Sequence, residues 1–364
     1  AGVAIVSDSG SLVSHKRAGK LGVLAEDLVT SPLESGSTGI AHTRWATHGA
    51  PTDANAHPHL ADDGKLALIH NGIIENFHEL KEQLVASGET FSSDTDSEVA
   101  AVLLGIAYRE SRDLTQAMMK VVGRLEGAFT LLIVHEDAPG VVVGARRNSP
   151  LVIGVGEGEN FLGSDVAAFV AYTHKALALG QDQIVTITKD SIDVMSFEGE
   201  VVHPPEFTID WDASAADKGG WSSFMAKEIS EEPEAVANTL RGRLSPEGEV
   251  TIPELDSLDV SLIDRVIFIA CGTAAYAAML GAYAMEKWSG IPVTVELSHE
   301  FRYRDPVVGA GTLVVSVSQS GETMDTLMAV RYANELGAQT LAICNTQGAT
   351  IPRESDATLY THAG

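Results

Sequence analysis

Hydrophobic positions follow two different rhythms along the chain. From residue 1 to about residue 200 they form short β-rich runs bounded by glycine-bearing turns, at 3–6, 37–43, 65–70, 130–135, 141–145, 151–155 and 184–188. Helical spacing interrupts them at 77–87, 97–110 and 114–125. Strands, then helices, then strands again predict an α+β domain whose helices cover a largely antiparallel sheet. Between 201 and 220 the pattern dissolves into His203-Pro204-Pro205 and a run of Asp, Ser, Ala and Gly, which reads as a linker. Beyond it, a helix over 222–240 carries Met225, Ile229 and Val236, with an acidic run broken at Pro233. Strands at 264–271, 293–297, 312–317, 340–345 and 357–360 then alternate with helices at 274–288 and 323–336. That alternation predicts a doubly wound parallel sheet, whose ligands bind at the carboxyl ends of its strands. The expected division is a first domain over 1–200, a linker over 201–221 and a second domain over 222–364.

Composition narrows the partners. The chain has 364 residues, 45% of them hydrophobic and 20% charged, enough for two domains with separate cores. A formal net charge of −26 repels phosphate backbones and anionic lipid, so nucleic acid and membrane surfaces are not expected partners. No run of eighteen apolar residues suggests a membrane span. The two cysteines, Cys271 and Cys344, sit in apolar strand-like runs without metal-ligand spacing, so buried structural thiols in a reducing cytoplasm are expected. The chain opens on a strand-like run without an initiator methionine and stops directly after another, so both ends read as cut.

Candidate chemistry lies at several turns. Ser318-Gln319-Ser320-Gly321-Glu322-Thr323 follows an apolar strand and opens a helix, offering hydroxyls, backbone N–H groups and a helix N-terminus to a phosphate. The plain alternative is a Ser/Thr N-cap. Cys271-Gly272-Thr273 repeats this chemistry at a second strand end. In the first domain, His42-Thr43-Arg44-Trp45-Ala46-Thr47-His48-Gly49 supplies a guanidinium able to hold a carboxylate by paired hydrogen bonds, or else forms a polar surface loop with Trp45 in the core. His57-Pro58-His59 has no third ligand at metal-site spacing. Asn71-Gly72 is a turn signal, or a pair of donors aimed at a developing oxyanion. Within Ser93-Asp94-Thr95-Asp96-Ser97-Glu98, one acid is read as an N-cap and another as free to face an ammonium group.

The segments HTRWATHG, NAHPH, HNGIIEN and DTDSE, in this order and spacing, resemble the glutamine amidotransferase domain of the glutamine–fructose-6-phosphate aminotransferase family, which belongs to the N-terminal nucleophile hydrolases. KEISEEP, CGTAAY, EFRYR, SQSGET and RESD resemble the first of that family's two sugar isomerase domains. The resemblance covers essentially the whole chain. It implies a truncated four-layer α/β/β/α domain followed by a three-layer α/β/α domain. It also implies glutamine hydrolysis, ammonia passage through an internal channel, and conversion of fructose 6-phosphate to glucosamine 6-phosphate by a homodimer without metal or organic cofactor.

Residue by residue, the resemblance gives Arg44 and Asp96 the α-carboxylate and α-ammonium of L-glutamine, with Trp45, Thr47 and His48 lining and closing that pocket and Asn71 with Gly72 forming the oxyanion hole. Thr273, Ser318, Gln319, Ser320 and Thr323 would bind the sugar phosphate. Where the family has serine after CGT, this chain has Ala274, which removes one hydroxyl contact. The family's nucleophile is a cysteine at the mature N-terminus, and no cysteine precedes Cys271 here. Nor does the second isomerase domain appear, so the expectation is a fragment inactive alone. A sugar-phosphate-binding regulator fused to a degenerate amidotransferase is the alternative. An amidotransferase of purine synthesis shares the first domain's chemistry but leaves SQSGET unexplained. Lacking its first strand, the N-terminal domain is expected to melt before the C-terminal one.

Overall fold

The apolar run around residue 68 forms a nine-residue strand, Leu66–Ile74, whose alternating side chains enter two different cores. Leu66 and Leu68 pack with helices, whereas Ala67 and Ile69 pack against a second layer of strands. Burial on both faces is why the run reads as continuously apolar. This structure, a computed structural model, describes residues 1–44, 49–209, 220–245 and 247–363. It separates into unit 1, Ala1–Thr208, and unit 2, Ile209–Gly364.

Unit 1 runs β1 (Gly2–Val6), β2 (Leu12–Lys16), α1 (Leu21–Thr30), β3 (Thr38–His42), β4 (His59–Ala61), β5 (Leu66–Ile74), α2 (Phe77–Ala86), α3 (Asp96–Ser111), α4 (Leu114–Val122), β6 (Gly127–His135), β7 (Val142–Arg147), β8 (Val152–Val155), β9 (Asn160–Gly163), β10 (Lys175–Ala178), β11 (Gln183–Ile187), β12 (Ile192–Ser196) and β13 (Glu206–Thr208). A six-stranded antiparallel sheet, in the order β12-β11-β7-β6-β5-β4, carries α2 to α4 on one face. On its other face lie two smaller sheets, β2-β1-β3 and β13-β10-β8-β9, packed through Val6, Ile40, Leu151 and Ile153 onto Ile69, Leu132 and Val134. Helix α1 rests beside β2 and buries Leu24. The second layer is interrupted where the end strands β3 and β9 flank a cavity of about 670 Å³, lined by Thr38, Ile40, Phe161 and Leu162.

Unit 2 runs α5 (Phe224–Leu240), β14 (Arg265–Ala270), α6 (Gly272–Ser289), β15 (Val293–Leu297), α7 (Ser298–Phe301), β16 (Thr312–Ser318), α8 (Met324–Glu335), β17 (Gln339–Cys344), α9 (Thr350–Arg353) and β18 (Ala357–Tyr360). All five strands are parallel, ordered β15-β14-β16-β17-β18. Val266 and Phe268 of β14 pack toward Ala278 and Ala282 of α6, while Ile267 and Ile269 pack toward Phe301, Leu327 and Val330 on α7 and α8. This is the expected three-layer α/β/α arrangement.

The structure departs from the sequence reading at several points. Asn71-Gly72 is not a turn but lies inside β5, opposite Thr130 and Phe129 of β6. Glu206–Thr208, read as linker, extends the second layer by pairing with β10. Helix α5, by contrast, runs through Pro233 as the reading of one helix over 222–240 expected. β2 and α1 escaped notice because β2 has no fully buried residue and α1 only one.

Candidate functional site

A cavity of about 520 Å³ in unit 1 is walled by three separate parts of the chain. The segment after β3 brings Thr43 and Arg44, β5 brings His70, Asn71 and Gly72, and the first turn of α3 brings Asp96 and Ser97. Four residues singled out for glutamine, Arg44, Asn71, Gly72 and Asp96, therefore share one cavity. Trp45, Thr47 and His48 lie outside the described residues.

Each of the four is held differently. Arg44 directs Nη1 and Nη2 at the carbonyls of Ala50 and Gly49, 3.4 and 3.3 Å away. The buried Asp96 carboxylate accepts from the Ile74 N–H at 2.9 Å through Oδ2, which ties α3 to the end of β5. The expectation that an acid caps α3 is corrected: Thr95 is the N-cap, its hydroxyl accepting from the Glu98 N–H. Glu98 instead clamps the preceding loop, accepting from the N–H and hydroxyl groups of Ser92 and Ser93. Burial would raise its carboxyl, but those donors outweigh burial and hold it below the usual range. Asn71 is exposed on its strand, whereas Gly72 approaches β6 closely at φ 137°.

The sequence reading missed a histidine cluster behind this cavity. His57 Nε2 and His70 Nδ1 both reach the Ser97 hydroxyl, at 3.0 and 2.9 Å. His59 Nε2 lies 3.1 Å from the Thr95 hydroxyl, and the His42 and His57 rings stand 4.3 Å apart. Burial first, then neighbouring positive groups, push His42 down to about 4 and His59 down to about 3, and hold His57 well below its ordinary value. Neutral imidazoles here act as hydrogen-bonding spacers between β4, β5 and α3. The signal was present in His57-Pro58-His59 and His70, but as packing chemistry.

In unit 2, β14 and β16 are adjacent and parallel, so Cys271-Gly272-Thr273 and Ser318–Thr323 leave the sheet at the same carboxyl edge. Ser318 Oγ accepts from the Gly321 N–H at 3.0 Å and lies 3.4 Å from Thr323 Oγ1. Thr323 occupies the N-cap position of α8 without a side-chain capping bond, so its hydroxyl is not spent on the plain N-cap role. Ser320 Oγ accepts from the Glu322 N–H, and the Gln319 carbonyl accepts from the Asn345 and Thr346 N–H groups. Gly321, at φ 64°, sits where a Cβ would fall 2.6 Å from the Ala349 Cβ and 2.7 Å from the Cys344 sulfur. Thr273 is exposed and Ala274 half-buried at the start of α6. Cys344 is a buried thiol, pushed up to about 11 by burial. The expectation that Cys271 is equally buried is corrected, since it is partly exposed at the N-cap of α6.

No helix among the described residues is long and apolar enough to cross a membrane. Residues 29–199 match the glutamine amidotransferase domain family and residues 261–364 the SIS domain family. A glutamine–fructose-6-phosphate aminotransferase (isomerizing) of Leifsonia xyli is 66% identical across all of this chain, which spans 59% of that relative. One of Corynebacterium diphtheriae is 58% identical, with the same coverage of 100% and 59%. Among solved structures, the C-terminal domain of glucosamine-fructose-6-phosphate aminotransferase from Francisella tularensis is 40% identical over 41% of this chain and 42% of its own, at a TM-score of 0.38. The chain therefore carries a glutamine amidotransferase domain followed by an SIS domain, and is related along its whole length to the glutamine–fructose-6-phosphate aminotransferases (isomerizing).

Proposed function

We propose that the chain supplies the glutamine site and one fructose 6-phosphate site of a glutamine–fructose-6-phosphate aminotransferase (isomerizing). The observation that carries the reading is the single cavity lined by Arg44, Asn71, Gly72 and Asp96. In this reading Arg44 holds the α-carboxylate of glutamine through paired hydrogen bonds, and Asp96 pairs with the α-ammonium. Trp45, Thr47 and His48 close the pocket. The Asn71 amide and Gly72 N–H receive the oxyanion that develops as an N-terminal cysteine thiol attacks the side-chain amide. Collapse of that adduct releases ammonia and leaves a thioester that water hydrolyses to glutamate and free thiol, and the ammonia aminates fructose 6-phosphate on its way to glucosamine 6-phosphate. Cys271 and Cys344 both belong to unit 2 and are not that nucleophile.

Thr273, Ser318, Gln319, Ser320 and Thr323 hold the sugar phosphate in this reading, at the carboxyl edge where doubly wound sheets bind ligands. Calorimetric titration of the chain tests both sites. Saturable fructose 6-phosphate binding is expected, weakened about tenfold by Ser320→Ala or Thr323→Val, as for loss of one hydrogen bond to a charged group. Arg44→Ala is expected to weaken glutamine binding by about 2 kcal/mol. A folded chain with no saturable binding of either compound would overturn the proposal.

The reading includes a homodimer formed through the isomerase unit, in a reducing cytoplasm. Helix α6 supports it by leaving Leu280 72%, Tyr283 71% and Trp288 82% exposed along one apolar stretch. Exposed aromatic and aliphatic groups at this density mark an association surface. Sedimentation velocity is expected to give a dimer for the chain and a monomer for the Leu280→Glu, Tyr283→Glu double variant. A monomeric parent chain at micromolar concentration would refute the dimer.

A further inference from the structure

The fold assembles a set of side chains that nothing in the sequence spacing announces. Cys271 at the N-cap of α6, His299 in α7 and Asp325 in the first turn of α8 bring one sulfur, one ring nitrogen and one carboxylate oxygen within 4.8 Å of one another. We propose that these three residues form a binding site for a zinc-class divalent cation, with a fourth coordination position left to solvent or to an anion. A thiolate, an imidazole and a carboxylate form a donor set suited to Zn²⁺, whereas Mg²⁺ and Ca²⁺ select all-oxygen sites.

One feature separates this group from a chance meeting of surface side chains: the sulfur is oriented from behind. The fully buried Thr326 donates its hydroxyl hydrogen toward Cys271 Sγ at 3.8 Å and lies 3.0 Å from the hydroxyl of buried Ser298. With Thr326 donating to sulfur, Ser298 donates to Thr326, making a relay of hydroxyls directed at the metal-facing atom. Outer hydrogen bonds of this kind fix ligand orientation in metal sites. The other two side chains can rotate, since His299 is 47% exposed and Asp325 is exposed. Tetrahedral zinc requires donors about 3.4 Å apart, so side-chain rotation about the fixed sulfur closes the set.

The site also has a position of consequence. Cys271 stands two residues before Thr273, and Asp325 two residues after Thr323, so a bound ion tethers the two turns assigned to the sugar phosphate. Metal binding itself does not depend on that assignment, and neither result would decide it.

Cobalt(II) titration of the full chain, followed by zinc competition, is the test. The expected result is a thiolate-to-cobalt charge-transfer absorption with intense visible bands of tetrahedral geometry, saturating at one equivalent and abolished by one equivalent of Zn²⁺. Cys271→Ser is expected to remove the charge-transfer band and Cys344→Ser to preserve it. His299→Ala and Asp325→Asn, both at exposed positions that do not support the core, are each expected to weaken cobalt binding at least tenfold with the thermal melt unchanged. Absence of the charge-transfer band, its persistence in Cys271→Ser, or unchanged affinity in both exposed variants would overturn the site. The chain's many carboxylates and other histidines would then account for any weak binding.

Discussion

Gly72→Ala is expected to destabilise unit 1 by about 3–5 kcal/mol, a loss large enough to unfold a marginal domain. Two independent constraints meet at this residue. Its φ of 137° lies in a region that L-residues rarely adopt, and a Cβ built there falls 2.0 Å from the Ala128 carbonyl oxygen and 2.8 Å from the Phe129 Cα. Those atoms are backbone of β6, the strand to which β5 is paired, so no side-chain rotation relieves the clash. The ladder must part at the Gly72–Phe129 pair, close to the pairs where Leu68 and Ile69 on one strand and Leu131 and Leu132 on the other hold both cores together. Scanning calorimetry is expected to show the unit 1 transition lowered or lost and the unit 2 transition unmoved. The neighbouring Asn71→Ala, at an exposed position, is expected to shift stability by no more than about 0.5 kcal/mol. Equal melting of Gly72→Ala and the parent would refute the argument, and with it the idea that close strand approach dictates glycine beside the proposed oxyanion site.

How legible these features are in the sequence depends on whether they are local. Strands β15 and β18 fall on their expected limits although they are the edge strands of their sheet and only Ala357 among their residues is fully buried, because each is a short apolar run bounded by polar or glycine-bearing segments. β2 and β13 leave none, since neighbouring backbones hold them more than their own side chains do. Asn71-Gly72 misleads for a related reason. The dipeptide tolerates positive φ wherever it occurs, and only the partner strand decides whether that freedom makes a turn or a close approach. The cavity proposed for glutamine was legible as four residues on three segments, because each segment carries its own polar break in an apolar pattern. The histidine cluster and the Cys271–His299–Asp325 group were not, because their members are brought together by sheet order and not by spacing.

That histidine cluster makes acid the expected weak point of unit 1. His42 and His59 have ordinary values of 6.5 in the unfolded chain and are pushed to about 4 and about 3 in the folded one, so the unfolded chain binds protons that the folded chain refuses. Stability from these groups is complete above pH 6.5 and falls as pH drops through the window from 6.5 to about 4 for His42, and on to about 3 for His59. Across its window His42 is expected to cost about 3 kcal/mol and His59 about 5 kcal/mol. The cause is structural on every side. Burial dominates; His42 also faces His70, the N-terminal amine and Arg44, while His59 faces Lys16, Arg44 and His70, with Glu98 as the one opposing charge. Glu98, held low by its serine donors, loses its charge late in the same descent, so its contribution disappears in the same direction. Thermal melts between about pH 7 and pH 4 are expected to show unit 1 falling by about 1.4 kcal/mol per pH unit for each proton taken up. His59→Gln, which keeps a polar side chain beside the Thr95 hydroxyl but cannot titrate, is expected to flatten that slope even where it lowers stability at neutral pH. A slope unchanged in His59→Gln would show that the acid sensitivity lies with the carboxylates and not with the imidazoles that space β4 and β5 from α3.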